Sequence, residues 1–295
     1  LLEGKQKDVT RFYDYKDFAD PQLAPPDLAE SLVYGFPISV GWHAYKLSPG
    51  VEYSQAEELV RILNPLRHTF KRMILRSHHS HVAADDHVTA MRVIKDQGLP
   101  LVWTYVGLEE GVFAEYPGKT GYPEDFDARK RPWYVNTLTK EGSSCWMPPY
   151  VDVGGRGVLL PCTSKLFNSE GKFLGVAAVE MTIDYIRHEL MSISDLKGIE
   201  TTYLLNERAA IIADSSKTVK SYERGTLINS IDNLEIFPKE VVVDNIKMKE
   251  SGYINFSENG RDKILAYVRL NSIGWYYLAV ADAMTIESTS EVKTK

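Results

Sequence analysis

The stretch from Phe126 to Tyr134, FDARKRPWY, gathers two guanidinium groups, an indole and a phenol around the stiff residue Pro132. Arg131 offers a rigid fork of donors matched to a carboxylate or phosphate. Trp133 and Tyr134 offer flat apolar walls, each ending in one polar tip. No nucleophile with a neighbouring base stands in this stretch, so the residue types describe a small-molecule pocket and not an active site. Each assignment has an ordinary counterpart. Arg131 either anchors a ligand or pairs at the surface with Asp125 or Asp127, and Arg129 is the better candidate for a structural contact. Trp133 and Tyr134 are either pocket walls or plain core.

A second candidate lies in Gly175-Val-Ala-Ala-Val-Glu-Met181. A lone carboxylate inside so apolar a run is costly unless it is paired. Strand alternation puts Glu180 on the face of Val176 and Ala178, where a ligand ammonium group or Arg131 would serve as its partner. Asp152 is the alternative acid, beside a glycine-rich turn where it is either functional or solvated. Tyr150, Phe126, Trp103 and Tyr105 are further lining candidates. His78, His79, His81, Asp85, Asp86 and His87 have ligand chemistry that zinc accepts, but their spacing matches no HExxH or finger pattern, and a polar loop is the alternative. GxxxxGK[ST] and GxSxG are both absent, which leaves an NTPase or serine hydrolase without support. The sequence calls for no cofactor.

The elements that would position these groups follow from periodicity. Ser54–Ser77 carries apolar residues at helical spacing, with a Ser54/Glu57 capping box at its start and Pro65 as a kink or break. Asp27–Glu30 resembles a helix start, and Tyr34–Tyr45 reads as a strand or a packed loop. Asp85–Gln97 is helical with Gly98 as its stop. From Leu99 the period becomes two. Strands are expected at Leu99–Gly107, Gly111–Tyr116, Trp146–Val153, Val158–Leu166 and Phe173–Met181, with a short helix at Pro132–Lys140 and another from Tyr185 to Ile193 capped by Asp184. A smaller unit repeats the theme: strands at Thr202–Asn206, Ala209–Ala213, Gly252–Phe256, Arg261–Val268 and Trp275–Val280, with a helix in Ile236–Met248. The pattern is α+β, two antiparallel sheet-and-helix modules behind an N-terminal helical segment.

Composition sets the outer bounds. The 295 residues are 44% hydrophobic and 25% charged, ordinary globular values, with a formal net charge of −6 that argues against nucleic acid as the main partner. No apolar run approaches the roughly 18 residues of a membrane span, and no secretory leader pattern opens the chain. Such a sequence is expected of a soluble protein or of the part of a receptor outside the membrane. Cys145 and Cys162 flank an expected hairpin turn at Val153–Gly157, placing them for either a disulfide or two free thiols.

In order, Tyr116-Pro117-Gly118, Phe126 to Tyr134, Trp146 to Asp152, Gly171 to Met181 and the closing Tyr267 to Ala279 resemble the double Cache sensor domains of bacterial and archaeal transmembrane receptors. The resemblance covers roughly residues 85 to 285. It implies two PAS-like modules: 1–84 an arm with helices, 85–187 a membrane-distal module holding the pocket, 188–285 a membrane-proximal module, and 286–295 a tail towards a membrane helix. It further implies an extracytoplasmic, non-enzymatic sensor on the periplasmic or extracellular face, anchored by membrane segments, with a kinase, chemotaxis, cyclase or phosphatase output. Apart from the resemblance, the Ser54–Ser77 helix is a candidate interface for a homodimer. In the amino-acid-binding branch an Arg and a Trp hold the ligand carboxylate, and a Tyr and an Asp complete the site. Arg131, Trp133 and Tyr134 match that pattern, whereas Phe126 replaces the Tyr and Glu180 the Asp, so an amino acid, an amine or a carboxylate remains open as ligand. A metal-dependent enzyme and a ligand-free interaction module are the alternatives.

Overall fold

The computed structural model describes residues 12–77, 82, 86–142, 144–152, 157–192, 197–217 and 234–286. The chain divides into two compact units. One runs to Met147 and includes Val151–Thr182; the other comprises Pro148–Tyr150 and the chain from Ile183.

The first unit is built on an antiparallel sheet. Its strands are β1 (Ala44–Leu47), β2 (Leu101–Leu108), β3 (Val112–Tyr116), β4 (Ser144–Trp146), β6 (Val158–Phe167) and β7 (Phe173–Thr182), in the order β1-β3-β2-β7-β6-β4, with β5 the short segment Tyr150–Val151. The expected strand from Trp146 to Val153 is thus broken, because Met147-Pro148-Pro149 cannot donate a continuous ladder. The segment left open between strand and loop is both: β1 pairs with β3, while Ser39 and Ala29 form isolated bridges.

Alternation gives the sheet two unlike faces. Tyr45, Ala114 and Val106 fall on one face through the registers Tyr45↔Ala114 and Val106↔Ala114. That face is covered by α1 (Tyr53–Leu63) and α2 (Leu66–Ser77), which pack on β2 and β3 and bury Val60, Leu63, Phe70 and Ile74. Tyr45 Oη donates to the Val60 carbonyl at 3.0 Å, fixing helix to strand. Pro65 does break the long helical pattern in two. The capping box lies two residues earlier than expected: Glu52 accepts from the Gln55 backbone while the Gln55 side chain reaches back to the Glu52 amide. Ser54 therefore sits inside the first turn, and Glu57 pairs with Arg61 instead. The helix start expected at Asp27 is absent, because the Asp27 carboxylate accepts from Ser39 Oγ and the Gly41 amide, both at 2.6 Å. Those bonds serve a loop in place of a helix N-terminus.

α3 (His87–Arg92) is capped by the Asp86 carboxylate, which accepts from the Thr89 amide, and runs into one widened turn at Val93–Gln97 before Gly98 stops it at φ +76°. On the opposite face of the sheet lie a 3-10 turn at Ala128–Lys130 and α4 (Pro132–Leu138). Thr137 Oγ1 and Thr163 Oγ1, 2.6 Å apart, tie α4 to β6. Cys145 sits opposite Thr163 and Cys162 opposite Trp146. That register is one residue off for a bridge, so the two thiols project from opposite faces and both are free. The turn residues 153–156 lie outside the described residues.

The second unit carries the sheet β10-β11-β12-β8-β9, from β8 (Ile199–Leu205), β9 (Ile211–Asp214), β10 (Gly252–Glu258), β11 (Arg261–Leu270) and β12 (Trp275–Asp282). α5 (Ile183–Tyr185) and a widened turn at Ile186–Leu190 lead into it. Asp184 lies within α5 and pairs with Arg187 instead of capping the helix. α6 (Glu240–Lys247) packs Val242 and Ile246 against Leu205, Leu265, Tyr267, Tyr276 and Leu278. Two antiparallel sheets with helices make the chain α+β, as its periodicity requires.

The centre of the first sheet is held by a close backbone approach. Gly175 has φ +149°, and a Cβ there would lie 2.2 Å from the Gly107 carbonyl oxygen. One register step away on β2, Gly107 leaves room for Trp133, Ala128 and Tyr134. Gly175→Ala is therefore expected to cost about 3 kcal/mol or more through backbone displacement. Chemical denaturation reads this directly, and an unchanged midpoint would refute the close approach.

Candidate functional site

The face of the first sheet away from α1 and α2 carries Trp103, Tyr105 and Gly107 on β2, Phe113 and Glu115 on β3, and Val176, Ala178 and Glu180 on β7. The registers Trp103↔Glu180, Tyr105↔Ala178, Tyr105↔Glu115 and Gly107↔Phe113 set them side by side. Glu180 is 1% exposed. Tyr105, itself buried, reaches diagonally across the ladder and donates its hydroxyl to Glu180 Oε1 at 2.6 Å. A short O–H···O⁻ bond of this kind offsets part of the cost of burying the acid.

The FDARKRPWY stretch folds over the same face. Asp127 caps the 3-10 turn by accepting from the Arg129 amide and takes the Arg129 guanidinium at 2.8 and 2.9 Å, with Ser48 Oγ donating at 2.9 Å. These partners hold its carboxyl at about 2, well below the usual range, chiefly through the Arg129 hydrogen bonds. Arg129 is thus the structural arginine. Arg131 is the N-cap residue of α4, half-buried, its carbonyl accepting from the Tyr134 and Val135 amides. Pro132 occupies the first helical turn, where its missing N–H costs nothing.

Trp133 and Tyr134 are both buried. Trp133 packs edge-on to Tyr105, with centroids 4.7 Å apart, and an aromatic chain continues through Phe113 to Phe126 and Tyr122. Burial and the nearby Glu109 push the Tyr134 phenol up to about 12. Phe126 lies within this chain, contributing surface and no polar group.

Two residues that the sequence reading missed complete the arrangement. Lys119 is 1% exposed, with its ammonium 4.0 Å from the Tyr122 ring centroid and 5.2 Å from that of Trp103. Its Nζ lies 3.5 Å from Glu115 Oε2 and has no hydrogen-bond acceptor. The Trp103 indole N–H is likewise buried without an acceptor. Glu115 is buried, accepts from the Tyr122 hydroxyl, and is raised to about 7, mainly by desolvation, with Lys119 acting in the opposite direction. The signal for Glu115 was present in its alternation with Phe113. Lys119 follows Pro117-Gly118 in an irregular segment, where no periodicity reports burial.

The structure thus brings Trp103, Tyr105, Phe126, Trp133, Tyr134 and Glu180 into the first unit around one sheet face. Asp152 is half-buried in that unit, its amide donating to the Gly157 carbonyl at 2.8 Å. Tyr150 falls with the second unit. Of the histidine-rich segment, residues 78–81 and 83–85 lie outside the described residues. Asp86 caps α3, and His87 Nδ1 stands 3.4 Å from Lys71 Nζ. Among the described residues no group of three His, Cys, Asp or Glu side chains could hold a metal ion, and no helix is long and apolar enough to cross a membrane.

No family model matches the chain. In sequence it is similar to the methyl-accepting chemotaxis protein McpB of Bacillus subtilis, 25% identical over 174 residues, or 58% of this chain and 23% of that protein. It is also similar to the methyl-accepting chemotaxis protein PctB of Pseudomonas aeruginosa, 23% identical over 184 residues, 61% of this chain and 26% of that protein. The chain therefore spans well under two thirds of these relatives. Among solved structures it is similar to the ligand-binding domain of the PctB amino acid chemoreceptor in complex with L-Gln (TM-score 0.47, 16% identity, 76% of this chain and 88% of that one). A second is the ligand-binding domain of the Pseudomonas fluorescens chemoreceptor CtaA in complex with L-leucine (TM-score 0.47, 16% identity, 73% and 86%). The resemblance to transmembrane receptors read from the motifs agrees with the two methyl-accepting chemotaxis proteins.

The Glu115 environment sets a pH dependence. Its folded value stands above the ordinary 4.5, at about 7, so the folded state binds the proton more tightly than the unfolded chain. This contribution is fully present below the ordinary value and is lost as pH rises towards 7, by about 3 kcal/mol. Glu115→Gln is expected to remove that decline, as read by denaturation midpoints across the interval. Parallel pH profiles for the two proteins would refute the buried state of Glu115.

Proposed function

We propose that the first unit is the ligand-binding module of an extracytoplasmic sensor belonging to a transmembrane signalling receptor, and that it binds an amino acid, an amine or a carboxylate. The observation that carries this reading is the pair of opposite charges flanking Trp103, Glu180 on β7 and Lys119 beyond β3, each 1% exposed. Sheet interiors do not retain such groups cheaply. A polar, charge-bearing ligand gives the acid and the aromatic walls a common purpose. Similarity to methyl-accepting chemotaxis proteins supports a receptor as the parent protein. In this reading the chain is non-enzymatic and works outside the cytoplasm, with membrane segments in the parent receptor and a second copy as its dimer partner. The unit to Met147 with Val151–Thr182 is the membrane-distal module, and the remaining chain is the proximal one.

Within the site, Glu180 with Tyr105 takes the ligand ammonium group, Arg131 takes its carboxylate, and Trp133 and Tyr134 wall its carbon skeleton. Asp152 and Phe126 border the same face. Signalling follows if the ligand prefers one of two arrangements of the module.

Thermal-shift measurement with small amines, amino acids and carboxylates tests this. A true ligand at a hundred times its Kd stabilises the folded chain by about 2.7 kcal/mol. Glu180→Gln is expected to lose the shift given by ammonium-bearing ligands, and Arg131→Ala that given by carboxylates. A panel that shifts nothing, or shifts that survive both substitutions, would overturn the assignment of the site.

A further inference from the structure

The second unit contains a cavity of about 260 Å³. Its walls come from the widened turn after α5, from the start of β8 and from the residue following β9. Three features make it a built site. Arg187 lines it and is buried, its side chain only 6% exposed. Among the described residues the guanidinium has one ion-pair contact, Nη1 to Asp184 Oδ1 at 3.3 Å, while its Nε–H is buried with no acceptor. A buried cation so weakly compensated is costly unless an anion completes it.

The second feature is a hydroxyl beside the arginine. Ser215 Oγ accepts from the Thr202 amide at 2.8 Å, so its own hydrogen remains to be donated. Thr202 Oγ1, on the same face, is spent on the Met191 carbonyl at 2.9 Å. The third feature is the balance of charge. Glu200 is on the wall, but its carboxylate is held by Lys263 Nζ at 2.9 Å. That leaves one weakly compensated guanidinium and the His188 ring on the wall, with a carboxylate close by. A monoanion satisfies the arginine, whereas a dianion also meets Glu200.

We propose that this cavity is a second ligand site, separate from the Glu180 face, and that it takes a small monocarboxylate bearing a hydroxyl group. The carboxylate neutralises Arg187, and the hydroxyl accepts a hydrogen bond from Ser215. A cavity just under the roughly 300 Å³ at which ordinary ligand pockets begin suits a molecule of a few heavy atoms. The inference stands on the second unit alone and does not depend on the function assigned to the first.

The test is titration of the full chain with L-lactate, acetate and inorganic phosphate, followed by amide NMR shifts and calorimetry. Saturable lactate binding that moves the Thr201, Thr202 and Ser215 resonances is expected, with acetate weaker. Arg187→Gln is expected to weaken lactate by at least about tenfold, while Arg131→Ala, the substitution that removes carboxylate binding at the first-unit face, leaves the second-unit affinity unchanged. Because Arg187 is buried and its loss bears on folding, Ser215→Ala serves as a second variant, expected to weaken lactate several-fold and, by orphaning the Thr202 amide, to lower the melting temperature modestly, whereas Ser215→Thr keeps that acceptor and is expected to retain binding. Resonance changes confined to the first unit would overturn the proposal. Binding of phosphate alone, absence of saturable binding by either carboxylate, or lactate affinity untouched by both Arg187→Gln and Ser215→Ala would overturn it as well. Lactate binding lost in Arg131→Ala but kept in Arg187→Gln would assign the anion to the first unit instead.

Discussion

The hydrogen bond from Tyr105 to Glu180 is the constraint around which the first unit is arranged. A carboxylate on an interior strand must be met, and the nearest strand meets it diagonally across the ladder. Only the register that pairs Trp103 with Glu180 and Tyr105 with Ala178 permits that reach. A slip by one residue would turn Glu180 towards the helices α1 and α2, among aliphatic side chains with nothing to offer an acid. The small Ala178 and the glycine pair at positions 107 and 175 then follow as requirements. Residues with bulk there would block Tyr105, Trp133 or the backbone approach itself.

Around that bond the polar groups are placed by their aromatic neighbours. The Lys119 ammonium lies near the rings of Tyr122 and Trp103, which provide an attractive surface without providing an acceptor. The Arg129–Asp127 pair, in contrast, is fully engaged and fastens the turn before α4. The stretch that concentrates two arginines thus divides them between scaffolding and the entrance to α4. The second unit differs in kind. The core between its sheet and α6 is aromatic and aliphatic, filled by Tyr267, Tyr276, Leu278 and Val242, and its weakly compensated cation, Arg187, lies at the edge of the sheet.

Much of this was legible in the sequence, for identifiable reasons. Strand alternation placed Glu180 on the face of Ala178, since a period of two survives any uncertainty in strand ends. Pro65 announced the break between α1 and α2, and Gly98 announced the end of the helical stretch before β2. The capping box was misplaced because Ser54–Glu57 and Glu52–Gln55 both satisfy the spacing, and tertiary contacts choose between them. Asp27 carries the residue type of a helix cap, yet its carboxylate is claimed by Ser39 and Gly41 from farther along the chain. Glu115 was overlooked although it alternates with Phe113, and Lys119 because it follows Pro117-Gly118 in an irregular segment where no periodicity reports burial. For Tyr150, Met147-Pro148-Pro149 interrupts the strand, and the chain crosses briefly to the other unit. For Cys145 and Cys162, proximity in a hairpin was readable, but the parity of the register was not.

The order of the first sheet has a consequence for how the molecule comes into being. Tyr105 and Glu180 stand 75 residues apart in the chain, and β2 must skip past β4, β5 and β6 to find β7. The hairpins β2–β3 and β6–β7 are local and inexpensive to form, whereas joining them closes a long loop before any reward is returned. The face that carries both Tyr105 and Glu180 is created in that joining step, since the two residues come from different hairpins. A partly folded chain accordingly offers no half-strength version of that face. The buried acid finds its phenol only when two distant strands have met, so the Tyr105–Glu180 bond reports on completed folding of the unit.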